Sequence, residues 1–78
     1  MNIIKLKEFR KRIRVGCIVY NYDGKGFVKC RVLRVYGCGI LMVMIENMEM
    51  MVFMSRIFPI GYNRVDKKDI VKIIRKYK

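Results

Sequence analysis

Phe27-Val28-Lys29-Cys30-Arg31-Val32-Leu33-Arg34-Val35-Tyr36 is the stretch on which the fold turns. Val28, Cys30 and Val32 alternate with Lys29 and Arg31, the period-two pattern of a strand with one apolar and one cationic face. After Val32 the phase slips by one: Leu33 and Val35 become the apolar partners, with Arg34 and Tyr36 opposite. A one-residue slip inside a long strand predicts a β-bulge that bends the strand across two sheets. Small five-stranded barrels turn their corner with such a strand.

The surrounding sequence agrees with a β interior. Isoleucine and valine number twenty against three leucines, and branched side chains suit strands better than helices. Turn signals recur at Asp23-Gly24-Lys25-Gly26, Gly37-Cys38-Gly39, Glu46-Asn47 and Pro59-Ile60-Gly61. They predict strands near residues 14–22, 26–36, 39–46 and 49–58. Residues 2–13 differ, with Ile3, Leu6, Phe9 and Ile13 on one helical stripe and Lys5, Lys7, Lys11 and Arg12 on the other faces. This amphipathic helix is expected to plug an open barrel end. Toward the C-terminus, Asp66 and Asp69 resemble a capping box ahead of Ile70, Ile73, Ile74 and Tyr77 at helical spacing. The same residues also suit a one-turn helix and a last short strand. The expected layout is one domain over 1–78: a helix over 1–13, a β-barrel over 14–65, and a closure with a basic tail over 66–78.

Seventy-eight residues leave room for one core and no more. The longest uncharged stretch, Val35 to Ile45, is about half of what a membrane-spanning helix needs, and no signal-peptide pattern is present. A soluble cytoplasmic protein is therefore expected, with no membrane partner. Eighteen Lys plus Arg against six Asp plus Glu leave a net charge of +12. That excess repels itself on folding, so a polyanionic partner is expected, nucleic acid ahead of an anionic membrane surface or an acidic protein.

The chain has no His, Trp, Ala, Thr or Gln, and its only Ser is Ser55. Without His, the commonest general base and metal ligand is missing. Cys17, Cys30 and Cys38 include no C-x-x-C pair, so neither a metal nor another cofactor is expected. They read as small buried hydrophobes in a reducing compartment, with a reactive thiol at Cys38 as the alternative. The six carboxylates form no recognisable pair with a nucleophile, and Gly24-Lys25-Gly26 is too short to cradle a phosphate. No enzyme is expected.

Residues 13–36, from Ile13-Arg14-Val15-Gly16-Cys17-Ile18-Val19-Tyr20 to the long strand, resemble the opening of Src-homology-3-like small barrels. Val65-Asp66-Lys67-Lys68-Asp69-Ile70-Val71-Lys72-Ile73 is similar to the short 3₁₀ turn and final strand of that superfold. Lys25-Gly26 with Val32-x-x-Val35 resembles the KOW motif of ribosomal and transcription-elongation proteins, but Lys29-Cys30 replace its glycine and the spacing is one residue longer. The order of a helix and then five strands is similar to Sm-like proteins, although Gly37-Cys38-Gly39 lacks the Asp and Asn of their uridine pocket. The resemblance implies a mainly β, five-stranded small barrel with an N-terminal helix and a short C-terminal helix or strand. It implies a binding module, and no single family.

For nucleic acid, Lys25, Lys29, Arg31 and Arg34 are the expected phosphate contacts, with Tyr22 and Tyr36 stacking bases. Nothing in this set reads base edges, so low sequence choice and a preference for RNA or single strands are expected. The basic ends, Lys5 to Arg14 and Lys67 to Lys78, add a second patch or serve solubility.

A different function follows from methionine. Met42, Met44, Met50, Met51 and Met54, with Phe53, lie in strands that are apolar on both faces. Either the N-terminal helix covers the outer face, or that face binds a second copy or a protein partner. The latter suits a small inhibitor or modulator of a host nucleic-acid enzyme or ribonucleoprotein, of the kind phages and mobile elements encode, anti-CRISPR proteins among them. The use of Ile, Lys, Met, Tyr and Asn, with no Ala, fits the AT-rich coding sequence that such elements often have.

Overall fold

A computed structural model describes residues 3–76. The chain runs α1 (Ile3–Lys11), β1 (Ile18–Tyr22), β2 (Phe27–Tyr36), β3 (Ile40–Ile45), β4 (Met48–Phe53), β5 (Ile57–Phe58) and α2 (Lys67–Lys76), with 3₁₀ turns over Met54–Arg56 and Tyr62–Arg64. The strands form one antiparallel sheet in the order β4-β3-β2-β1-β5. It is mainly β and open, with β4 and β5 as its edges; no ladder joins them to close a barrel. No helix among the described residues is long and apolar enough to cross a membrane.

The bulge falls where the alternation slips. Arg31 pairs with Met44 and Val32 with Val43, then Arg34 pairs with Met42, which leaves Leu33 as the extra residue. The β1–β2 turn is closed by the Asp23 carboxylate, which accepts from the Lys25 and Gly26 N–H groups at 2.8 and 2.9 Å. Those two bonds hold its pKa below the ordinary value. Gly24, at φ +95°, supplies the left-handed step that this turn needs.

Two expectations need correction, and an alternative left open is decided. β1 starts at Ile18 and not at 14, because Arg14 to Cys17 form a turn closed by Cys17 N–H to Arg14 O. The strand expected over 49–58 is broken by the 3₁₀ turn at Met54–Arg56, whose Met54 N–H bonds to Gly39 O at 2.9 Å. Beyond that turn the chain reaches the far side of the sheet, where Tyr20 pairs with Phe58 and Asn21 with Ile57. The fifth strand therefore precedes the closing segment. Residues 67–76 are helical throughout, with the Asp66 carboxylate accepting from Lys68 N–H at 3.1 Å at the N-cap. Tyr77, placed on that helix by its spacing, lies outside the described residues, as do residues 1 and 2 of the expected first helix.

Cross-strand partners share a face, so the register sorts the core. Val19, Cys30, Val32, Leu41, Val43 and Ile57 form an aliphatic face. Tyr20, Tyr22, Phe27 and Phe58 lie on the opposite, aromatic face, over which α2 packs Ile70, Ile73 and Ile74 and α1 packs Leu6. Phe9 touches both clusters. The α1 helix thus sits against β5 and not over β3 and β4 as one reading of its stripe expects. Its Arg10 guanidinium donates to Ile57 O at 3.0 and 3.1 Å and to Ser55 O at 2.9 Å, and lies 5.2 Å from the Phe58 ring centroid. Burial lowers the Arg10 pKa from its ordinary value, partly offset by Tyr62.

Candidate nucleic-acid interface

Following the aromatic face along β2, away from the cover of α2, brings Lys29, Arg31, Arg34 and Tyr36 into line. The ladder then sets each in a row. Ile18, Arg31, Met44 and Glu49 form one; Arg34, Met42 and Met51 the next; Tyr36, Ile40 and Phe53 the last. The cationic strand and the methionine-rich strands, legible as two separate patches, are therefore one surface. The bulge makes this so, because without Leu33 as the extra residue Arg34 would turn to the aliphatic face.

Lys29, Arg31 and Arg34 are exposed, and no carboxylate pairs with them among the described residues. Glu49 shares Arg31's row two strands away, about 10 Å at ordinary strand spacing. A shallow hollow of about 410 Å³ opens beside Lys29 and Arg31, walled by Ile18, Leu33, Met44 and Glu46. Ile18, half-exposed opposite Arg31, is a member that sequence reasoning missed; its apolar character marks it for a core, and only the register brings it out.

Two expected contacts lie elsewhere. Tyr22 is only 4% exposed, packed under α2 with its hydroxyl donating to Gly24 O at 3.3 Å, so it is withdrawn from any base. Its ring serves the core instead. Lys25 is exposed in the β1–β2 turn, roughly 20 Å or more along the strand from Arg34. It belongs to the α2 end of the molecule. Tyr36 is half-buried and available on the face.

Of the methionines, Met42 and Met44 are half-buried between the cations and β4, and Met50, Met51 and Phe53 are exposed. Met50 pairs with Val43 and so faces the aliphatic side. Met54 lies in the 3₁₀ turn and packs on the aliphatic core, apart from the surface expected of it.

The cysteines are free: Cys17 half-buried, Cys30 buried and Cys38 exposed in the β2–β3 turn. Burial pushes the Cys30 thiol up to about 11, and its Sγ–H donates to Val19 O at 3.6 Å. Among the described residues no three Cys, Asp or Glu side chains gather as a metal site requires.

Fold and site together define a small, mainly β protein with an open, bulged sheet and a cationic face interleaved with thioethers and aromatics. No protein-family model, curated protein or solved structure matches the chain.

Proposed function

We propose that the chain is a non-enzymatic nucleic-acid-binding protein, acting on RNA or single strands with low sequence choice through the β2–β3 face. The observation that carries this reading is the register, which sets Arg31 beside Met44 and Arg34 beside Met42, with Tyr36 and Phe53 closing the same surface. Guanidinium groups spaced among flat or polarisable side chains contact phosphates while bases lie on the surface between them. The field of +12 concentrates a polyanion there. Strand order, the bulge in β2 and the 3₁₀ turn ahead of β5 support reading the sheet as a Src-homology-3-like small barrel. Three unpaired cysteines suit a reducing compartment such as the cytoplasm.

Fluorescence anisotropy with labelled single-stranded RNA, single-stranded DNA and duplex DNA across a salt series tests the proposal. About six phosphate contacts on a single strand give a log–log salt slope of about −4. Arg31→Ala and Arg34→Ala lower affinity in successive steps. Binding that is indifferent to salt overturns the reading.

A second reading, a phage-type modulator docking on a nucleic-acid enzyme, is favoured by β4, where Met48, Met51 and Phe53 are 66%, 60% and 61% exposed. Docking of this kind persists at high salt and is lost on Met51→Lys. The same edge suits self-association, which light scattering at tens of micromolar resolves.

A further inference from the structure

Three hollows, of about 440, 260 and 410 Å³, follow one another beside α2 and share their walls. Phe53, Ser55, Arg56 and Ile74 frame the first. Arg56 and Ile74 recur in the second, joined by Tyr22, Gly24, Val71 and Arg75. Tyr22, Val71 and Arg75 recur in the third, which adds Lys67, Lys68 and Lys72. The result is a trough with an apolar floor and five cations along its walls, and no carboxylate among the described residues lines it.

The sequence of α2 builds this shape. Ile70, Ile73 and Ile74 anchor the helix to the aromatic face, and helical spacing then groups Lys68, Val71, Lys72 and Arg75 on the side that flanks the trough. The Arg56 guanidinium, donating to Tyr22 O at 3.4 Å, is held in the wall. Lys67 and Lys68 stand in the first helical turn, where the helix dipole disfavours cations, so helix stability alone does not account for them. Phe53 stands at the mouth, and it also closes the Tyr36–Ile40–Phe53 row. The trough thus begins where the β2–β3 face ends.

We infer that this trough is a second contact site for the same nucleic acid, gripping the phosphodiester backbone of a single strand whose bases lie on the β2–β3 face; the inference rests on the nucleic-acid reading above. Hollows of this size admit phosphates and sugars but not the girth of a duplex. Two sites on one ligand raise affinity through effective concentration once the strand is long enough to reach both. Affinity therefore rises in a step with length, within the range of about 4 to 16 nucleotides that small barrels cover.

The test uses fluorescein-labelled oligouridylates and oligodeoxythymidylates of 4, 8, 12 and 16 nucleotides, read by anisotropy. Wild type gains at least about tenfold in affinity at one length beyond that expected from the number of registers. Lys72→Ala/Arg75→Ala removes this step and lowers the salt slope by about 1.4, and Lys68→Ala lowers it by about 0.7. The charge-matched Lys11→Ala/Arg12→Ala variant, altered beside β5, keeps the step. Circular dichroism confirms that each variant retains its helices. Equal losses in the two double variants overturn the trough in favour of a general field. Loss only on Arg31→Ala/Arg34→Ala, with the α2 variants unchanged, overturns the trough and leaves the sheet face standing. Absence of wild-type binding at every length overturns the face reading and the trough with it.

Discussion

The two edges of the sheet are treated in opposite ways. β5 is two residues long, and both Ile57 and Phe58 are wholly buried. Its Ile57 carbonyl receives the Arg10 guanidinium, and Phe58 is held by Arg10, by the Phe27 ring at 5.7 Å and by the Tyr62 ring at 5.5 Å. β4 is six residues long, and all but Val52 are exposed. Its only charge is Glu49, and only its Val52 packs on the core. An apolar edge with free backbone groups invites another chain, and proteins ordinarily shorten it, charge it or cover it. This molecule does all of that for β5 and little of it for β4. The difference shows where the single N-terminal apolar stripe was used: it seals the edge where the aliphatic and aromatic clusters meet and leaves the other edge as surface.

Substitutions at four positions test that contrast, and the first should have the largest effect. Phe58→Ala removes a wholly buried ring and is expected to cost about 3–5 kcal/mol in urea denaturation, enough to unfold a domain of this size. A loss below about 1 kcal/mol would mean that β5 is not the anchored edge. Arg10→Ala removes two charge-assisted bonds to the Ile57 carbonyl of β5, one to Ser55 O in the preceding turn and the contact with Phe58, and should cost about 2 kcal/mol. Arg10→Lys should recover only part of this, since a single ammonium cannot reproduce the fork. Between the edges, Asn21 is buried in β1 with its Oδ1 lacking a partner. Asn21→Val should raise the stability measured by urea denaturation by about 1 kcal/mol, and a fall would show that the amide is satisfied. Smallest is Met51→Lys on β4, expected to shift stability by less than about 0.5 kcal/mol while reducing self-association in light scattering. A large destabilisation there would show that β4 is structural after all.

Much of this was legible in the residues. The slip after Val32 located the bulge because side-chain period in a strand is strict, so a phase change has one local cause. The helix of residues 3–11 and the cationic face of β2 followed from the same periodicities. The strand break at Met54–Arg56 was hidden, since Met50 to Phe58 reads as continuous apolar sequence with one serine and one arginine in it. What breaks it is tertiary, the Met54 bond to Gly39 and the pairing of Ile57 with Asn21. Tyr22 was misplaced for a related reason. Its face alternates between core and solvent along one sheet, and only the docking of α2 decides where that change falls. The union of the cationic and methionine patches needed the register, which no local pattern supplies. Arg56 in the trough is a lone cation in an apolar stretch, and nothing in its neighbours marks it.

The bonds from Arg10 to residues 55 and 57 bridge 45 and 47 positions of chain. During synthesis the α1 segment is made first, yet its docking site exists only after Phe58 has been added and β5 has joined β1. Until then its apolar stripe has no edge to seal, and nine residues are too few to hold a helix alone. The α1 segment is thus made before the edge it docks on, and of the apolar side chains that the unfolded chain exposes at Leu6 and Phe9 and from Met48 to Phe53, folding covers the first pair and leaves most of the second group at the surface.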